Sequence, residues 1–245
     1  MWDRPDLLNR MADLLLAVAA MLVLYGAVYY VVRLPVFALR EVQVTGRVSH
    51  VTAGEVAEVV RHHIRGNFFT LDLASARAAF ETLPWVRSAN LRRHWPDRLD
   101  VTLEEHAPLA RWGRAGLVST HGEVFEGTYE GPLPEFVGPA GAAKEMAIQY
   151  EYFRSSLASV GRVPLQIQVS PRRAWQISLD GGTTLELGRE QMEARLSRFV
   201  AVYNRTVVPL NRPIDYVDLR YANGFAVRIP EFRRESERKK SRGGT

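Results

Sequence analysis

The residue types best suited to chemistry in this chain are its histidines and its acidic side chains. Six histidines are present, but none forms an H-x-H or H-E-x-x-H pattern, the spacings that direct two rings at one zinc ion. The neighbours His62 and His63 would point about 100° apart on a helix, which is a poor arrangement for a chelate. The sequence therefore predicts no metal site.

The run of Glu104, Glu105 and His106 has the composition of an acid–base site. Because successive side chains of a strand point to opposite faces, we expect these three to lie apart, at the surface. The chain has no cysteine and no G-x-S-x-G pattern, which excludes a thiol nucleophile and a nucleophile elbow. Gly181-Gly182 lacks the later Gly-Lys-Ser/Thr of a phosphate loop and is interpreted as a hairpin turn. We expect no enzyme activity and no cofactor.

Binding through a sheet edge is the chemistry that the sequence favours instead. Two alternating apolar runs flank Asn223-Gly224, the strongest short-range signal of a β-hairpin. The runs are Val217, Leu219 and Tyr221 before the turn, and Phe225, Val227 and Ile229 after it. A terminal strand carries unpaired amide and carbonyl groups, and such an edge recruits a strand from another chain. The alternative is that Tyr221, Phe225, Val227 and Ile229 are core residues and Arg220 is a solvated surface charge. The sequence favours a core role for Phe225 and Val227, and binding for Arg220 and Tyr221.

The elements that must position this hairpin begin with an apolar segment, because residues 14–32 contain no charge. From Met11 to Val32 a helix would extend about 33 Å, and the hydrocarbon core of a bilayer is about 30 Å thick. Three tyrosines cluster at its C-terminal end, where their rings suit the headgroup level: Tyr25, Tyr29 and Tyr30. A cleaved signal peptide would have a shorter apolar region and a small-residue cleavage site. We predict an uncleaved transmembrane helix over residues 14–33.

The charges on either side of this segment leave its direction open. Residues 1–13 hold two arginines against three aspartates, whereas the other flank holds Arg33, Arg40 and Arg47. The positive-inside rule leans towards a cytoplasmic second flank, but long domains translocate largely regardless of charge. The direction therefore depends on the domains that the segment carries.

Much of the net charge of +5 lies at the C-terminus, in residues 231–245. A short run of this kind is typical of a disordered, solvated tail. A patch for nucleic acid or lipid headgroups is the alternative interpretation.

Residues 37–105 predict a first soluble domain with the order strand, helix, helix, strand, strand. Thr52 and Glu55 have the spacing of a capping box that opens the first helix. The apolar face of that helix is predicted to comprise Val56, Val59, Val60 and His63. The second helix begins near Asp72, and the turn between the last two strands is at 94–97. A small sheet covered on one face by two helices would bury a core.

Residues 106–230 predict a second domain that is richer in strands. Helices are predicted over 144–160 and 190–203, and short strands around them. The segment LPEFVGPAG, residues 133–141, is interpreted as a loop. One buried strand face is predicted to comprise Leu165, Ile167 and Val169.

Three sequence segments in the first domain resemble those of a known family: FALREVQVTG after the apolar segment, GNFFTLDL, and LPWVRSANLRRHWPDRLDVTLEEHAPLARW. They are similar to a POTRA domain, and more closely to the FtsQ/DivIB family of bacterial cell-division proteins. Trp175 to Arg189, RLSRFVAVY and IDYVDLRYANGFAVRIP extend the resemblance into the family's C-terminal β domain.

The resemblance implies an α+β fold: one transmembrane helix, a POTRA domain (β-α-α-β-β) and a mixed β domain with helices. It implies an inner-membrane protein of the division septum, with residues 1–13 in the cytoplasm and both domains in the periplasm. It further implies a non-enzymatic scaffold that links early and late division proteins and binds the FtsB–FtsL pair. A POTRA-bearing chaperone or transport component is one rival, and a membrane-anchored enzyme of wall metabolism is another.

Four positions fall where the family's partner-binding residues lie: Arg220, Tyr221, Asn223 and Ile229. Arg172 and Phe225 are further candidates for the same surface. Arg220 suits a partner carboxylate, and Tyr221 offers a flat apolar ring with a polar tip. The expected partners are membrane-anchored division proteins, with no nucleic acid and no small-molecule substrate.

Overall fold

The computed structural model describes residues 5–230, and the chain divides into two compact units after Glu105. The basic tail predicted over 231–245 lies outside the described residues, as do residues 1–4 of the predicted cytoplasmic tail. A mixed α+β fold with an apolar N-terminal helix is confirmed.

Helix α1, Pro5–Val32, contains the apolar segment. Its residues Asn9–Val32 are long and apolar enough to cross a membrane, and none of the apolar window is buried inside the protein. At its C-terminal end the Arg33 guanidinium lies 4.1 Å from the centroid of the Tyr29 ring. Such a cation–aromatic pair suits the headgroup level of a bilayer.

After a short 3₁₀ turn at Pro35–Phe37, the first unit has the predicted order of strand, helix, helix, strand, strand. The elements are β1 (Glu41–Thr45), α2 (Ala53–His63), α3 (Leu73–Phe80), β2 (Val86–His94) and β3 (Arg98–Glu105). Strand β3 lies in the middle of the sheet, parallel to β1 and antiparallel to β2. The core lies between the sheet and the two helices, around Phe80, Leu99 and Val101.

Local sequence signals account for both helix starts. The Thr52 Oγ1 accepts a hydrogen bond from the Glu55 amide at 3.3 Å, and the Glu55 carboxylate accepts one from the Thr52 amide at 2.8 Å. This capping box was predicted, and Asp72 caps α3 in a similar way. The prediction that His63 belongs to the apolar face of α2 was wrong: His63 is exposed at the end of the helix, and Ile64 packs against the core.

The second unit is built on one nine-stranded sheet. Its strands are β4 (Pro108–Trp112), β5 (Gly116–Ser119), β6 (Val124–Glu126), β7 (Glu135–Val137), β8 (Pro164–Val169), β9 (Trp175–Leu179), β10 (Thr184–Gly188), β11 (Tyr216–Asp218) and β12 (Ala226–Arg228). Their order across the sheet is β12-β11-β10-β9-β8-β7-β4-β5-β6. Helices α4 (Ala143–Ala158) and α5 (Met192–Thr206) supply buried side chains to the core, and a 3₁₀ turn at Val208–Leu210 follows α5.

Aromatic side chains fill the core of this unit. Trp175 on β9 is almost fully buried, and its ring meets that of Phe153 on α4 edge to face at 5.8 Å between centroids. Phe199 on α5 packs in the same way against Phe225, at 5.5 Å. These contacts hold both helices on the sheet.

Two predictions for this sheet were wrong. The segment interpreted as a loop contains β7, which pairs in parallel with β4 on one side and β8 on the other. Leu165 is exposed rather than buried, because a register shift between Pro164 and Gln166 turns it away from the face that holds Ile167.

Candidate partner-binding surface

Strand β12 forms one end of the nine-stranded sheet. It pairs antiparallel with β11, with Val217 opposite Val227, and no other strand among the described residues covers its outer side. Phe225, Val227 and Ile229 are half-buried against the core, whereas Ala226 and Arg228 are exposed. The alternation predicted for this run is therefore present, and its outer edge carries backbone groups without a strand partner.

The turn before β12 differs from the predicted Asn-Gly hairpin turn. Residues 219–225 connect β11 to β12, and neither Asn223 nor Gly224 has the positive φ that a two-residue type I′ turn requires. The Arg198 guanidinium on α5 donates to the carbonyl of Ala222 and so holds the middle of this connection. The longer loop raises Tyr221 from the sheet, and its side chain is 57% exposed.

Arg220 is fixed by a neighbour rather than solvated alone. Its Nε and Nη2 donate to the two carboxylate oxygens of Asp218, at 2.9 and 2.6 Å, in a bidentate pair. The Arg220 side chain holds the pKa of the buried Asp218 carboxylate below its ordinary value, and the pair raises the pKa of Arg220. The guanidinium is thus always charged and held in one orientation, with its Nη1 outside the pair.

A shallow depression of about 360 Å³ brings Arg220 together with Arg172, which lies in the turn between β8 and β9. The other charged residues that line it are Arg189, Arg195, Glu186 and Glu190. Burial raises the pKa of Glu186, and the nearby Asp218 adds to this while Arg220 opposes it. The excess of arginine over carboxylate suits this depression to an acidic side chain.

Gly188 allows the arginines to approach the end of β10. Its φ is +74°, and a Cβ there would lie 2.9 Å from Nη1 of Arg195 and 3.2 Å from Cγ of Arg220. The Arg195 Nη1 donates to the carbonyl of Leu187 at 2.6 Å. A glycine at this position therefore fixes where both guanidinium groups lie.

A second, more apolar groove of about 630 Å³ lies between α5 and the 219–225 connection. Asn223 and Phe225 line it, together with Phe199 and Val202 of α5. The six predicted site residues thus separate into two groups and two single positions. Arg172 and Arg220 share the depression, Asn223 and Phe225 share the groove, Tyr221 projects from the connection, and Ile229 follows β12, packed against the core.

Sequence reasoning missed Asp218, Glu186 and Arg195, which fix the charge and geometry of Arg220. The spacing of Asp218 and Arg220 is a usable signal, because an aspartate side chain readily accepts a hydrogen bond from the backbone amide two residues later, as Asp218 does from Arg220 at 3.0 Å. Glu186 gives no such signal, since it reaches Asp218 only through the parallel register of β10 and β11.

The acid–base run has a structural role. Glu105 was expected at the surface, but its side chain is only 8% exposed. It accepts hydrogen bonds from the backbone amides of Ser49, His50 and Val51, at 2.8 to 2.9 Å. Glu104, on the opposite face, pairs with Arg87 at 2.9 Å. Across residues 5–230 no group of three or more His, Cys, Asp or Glu side chains could hold a metal ion.

Two family models match the chain. The POTRA domain of FtsQ type matches residues 37–106, and the C-terminal domain of cell division protein FtsQ/DivIB matches residues 110–220. The cell division protein FtsQ of Nitrosospira multiformis is 44% identical over 233 residues, which cover 93% of this chain and 99% of that protein. The protein of the same name from Burkholderia pseudomallei is 41% identical over 240 residues, with 95% and 96% covered.

The chain belongs to the FtsQ family of cell-division proteins. The FtsQ of Neisseria gonorrhoeae, 32% identical over 243 residues, covers 97% of this chain and matches over its own full length. Within the FtsQ C-terminal model lie Arg172, Asp218 and Arg220, whereas Tyr221 to Ile229 follow the last matched residue. The resemblance stated from the sequence is confirmed.

Proposed function

We propose that this FtsQ-family protein is a non-catalytic scaffold of the bacterial division machinery, which binds the FtsB–FtsL pair through β12 and the 219–225 connection. In this proposal residues 1–13 lie in the cytoplasm and residues 14–33 cross the inner membrane at the septum. The POTRA domain, 37–105, and the β domain, 106–230, lie in the periplasm. The names of the relatives support the role in division.

The unpaired edge of β12 is the observation that carries the proposed binding site. An extended partner segment would add to the sheet as a further strand, with main-chain hydrogen bonds giving affinity. Tyr221 lies in the connection that leads into this strand, and the residue is 57% exposed. An aromatic ring in this position gives a partner a large contact area at little cost in side-chain entropy.

Arg220 and Arg172 supply selectivity in this proposal. Because Asp218 already orients the Arg220 guanidinium, the arginine loses little freedom when a partner carboxylate binds. Such charge pairs favour acidic segments over basic ones and speed the encounter. A partner strand with an acidic residue next to it therefore fits this end of the sheet.

The membrane anchor raises the efficiency of such binding. Partners that cross the same membrane are confined to the same thin layer, so the effective concentration of each near the other is increased. A modest edge-strand interface then suffices for a stable complex.

Replacing Tyr221 with alanine tests the site directly. We expect Tyr221→Ala to weaken binding of the FtsB–FtsL pair at least about tenfold, or ~1.4 kcal/mol, in a titration with the purified full chain. Ile148→Ala, which removes an equally exposed apolar side chain from α4, should bind like the parent. Tyr221 is the better probe than Ile229, which packs against the core and whose replacement by a charge would also affect folding.

Depletion of the protein from growing cells tests the scaffold role. Cells that lack it should form filaments, and the Tyr221→Ala chain should restore division less well than the Ile148→Ala chain. Normal division after depletion would contradict the proposed function, whatever the outcome of the titration.

A further inference from the structure

The end of α1 is joined directly to the first unit. The Asn67 Nδ2 donates to the carbonyl of Val32, the last residue of α1, at 2.6 Å. The Phe68 amide donates to the Phe37 carbonyl at 2.9 Å, and Ala38 forms a bridge with Asn67. The segment around Asn67 therefore lies within a few residues of the end of the apolar helix.

The strand topology brings a second segment to the same end. Strand β1 is parallel to β3, with Glu41 opposite Arg98, so the turn that precedes β3 lies where the chain arrives from α1. The Arg40 amide donates to the carbonyl of Asp97 in this turn at 2.9 Å. The Arg93 guanidinium, just before the turn, donates to the carbonyl of Leu71 at 2.5 Å.

Exposed aromatic and cationic side chains gather at this end. Trp95, in the turn before β3, is 72% exposed, and Phe69 is 47% exposed. We call this surface the juxtamembrane rim and define it by six exposed residues: Val36, Arg40, Arg65, Phe69, Arg93 and Trp95. Three exposed apolar side chains, Val36, Phe69 and Trp95, thus lie at the end of the unit that α1 enters.

Three glutamates lie at the opposite end of the first unit, where Glu55 opens α2 and Glu104 and Glu105 end β3. The rim is richer in arginine than in carboxylates, and Arg40 there lies 3.9 Å from the carboxylate of Asp97. Tryptophan side chains prefer the headgroup level of a bilayer, and arginine forms bidentate hydrogen bonds with phosphate groups. The rim therefore has the residue composition of a membrane interface.

We propose that the juxtamembrane rim lies in the lipid headgroup layer and fixes the orientation of the POTRA unit on the bilayer. Trp95, Phe69 and Val36 enter the boundary between headgroups and acyl chains. Arg40, Arg65 and Arg93 contact lipid phosphates. The occupant of this surface is the membrane that α1 crosses, because α1 and the rim are continuous. This inference rests on α1 being a membrane anchor, but not on partner binding.

The chain has no cysteine, so a single introduced cysteine carries a site-specific label. The experiment uses the full chain in nanodiscs of phosphatidylethanolamine and phosphatidylglycerol, with an environment-sensitive fluorophore at Trp95→Cys. We expect blue-shifted emission that lipids with brominated acyl chains quench. Val48→Cys, at the opposite end of the sheet, should report water. Phe69→Cys is a second rim position, and circular dichroism checks that each variant is folded.

Val23→Cys, within α1, separates failure of the anchor from failure of the rim. The proposal would be overturned if the label at position 23 shows the emission of a lipid environment while the labels at positions 95 and 69 both show the emission of water. Water at position 23 would contradict the anchor itself. Lipid contact at 95 that requires added division proteins would overturn the proposal in favour of a protein partner.

Charge reversal tests the arginines. In the Trp95→Cys background, Arg65→Glu should shift the emission towards that of a label in water, because it repels lipid phosphates. Arg77→Glu, on α3 and away from the rim, should leave the emission unchanged. Equal emission from the two variants would overturn the role given to the arginines.

Discussion

At the scale of single residues, Glu105 shows how a carboxylate can hold a loop rather than perform chemistry. Burial raises the pKa of Glu105, but hydrogen bonds from the amides of Ser49, Val51 and His50 outweigh it, so the pKa lies below its ordinary value. The ring of His50 stacks on Trp85 at 3.7 Å between centroids and closes the loop over this site. The loop between β1 and α2 is therefore fixed by one charge.

Because the folded pKa of Glu105 is lowered, its ionised form stabilises the folded chain. This stabilisation is complete above the ordinary glutamate pKa of about 4.3 and is lost as the pH falls through the lowered folded value. We expect Glu105→Gln to reduce the free energy of unfolding of the first unit by about 1.5–3 kcal/mol at neutral pH. Amide hydrogen exchange at residues 49–51 and urea denaturation measure this.

The neighbouring Glu104→Gln is the matched control. Its carboxylate is largely exposed and pairs with Arg87 on the surface, so we expect a loss below about 1 kcal/mol. The difference between the two variants should vanish in acid. Equal stability of the two at neutral pH would contradict the role of Glu105.

At the candidate site, Arg220 is likewise a charged side chain whose position is set by a partner in its own chain, Asp218. Its residue type was enough to predict a contact with a carboxylate, but the first carboxylate that it meets is Asp218 of its own chain. The sequence therefore predicts the charge of the site, whereas its orientation depends on a buried partner and on the packing around Gly188.

At the scale of elements, long segments with a clear period were predictable and short central strands were not. Helices α4 and α5 have apolar residues at helical spacing, and their bounds lie within a few residues of the prediction. Strand β7 is only three residues long and lies between two parallel neighbours, so distant segments decide its structure.

The Asn223-Gly224 signal was correct for the pairing of β11 with β12 and wrong for the turn. Leu219 is buried and Phe225 packs on Phe199, so these side chains, together with the Arg198 bond to Ala222, favour a longer connection over a tight turn. Tertiary contacts here override the local preference, and they produce the exposed position of Tyr221.

Gly188 gives a prediction that belongs to strand β10. Alanine at Gly188 and at Gly182 should each cost about 1–2 kcal/mol of stability, because both have positive φ, +74° and +83°. Only at Gly188 would the new Cβ crowd Arg195 and Arg220, since nothing lies within 4 Å of the position at Gly182. Gly188→Ala should therefore also weaken binding of the FtsB–FtsL pair, as a titration would measure.

The comparison of the two glycine variants separates the crowding of Arg195 and Arg220 from the backbone strain that both variants share. If both variants bind the pair with equal affinity at a temperature where both are folded, the position of Arg220 does not matter for binding. That result would remove Arg220 from the proposed site.

At the scale of the whole molecule, the chain combines an apolar helix with a POTRA domain and a β-rich domain. Helix α1 supplies a segment that can cross a membrane, and the first unit follows it within a few residues. The second unit holds an open sheet whose two ends are β12 and β6. Relatives that share this organisation over nearly their full length are named cell division protein FtsQ.

Hydrogen exchange on the full chain, with and without the FtsB–FtsL pair, tests the central claim most directly. Both ends of the sheet are short strands, so residues 124–126 of β6 are the internal control for residues 226–228 of β12. We predict that the pair slows amide exchange at 226–228 and leaves 124–126 unchanged. A complex that forms with exchange at 226–228 unaltered would contradict edge-strand capture by β12.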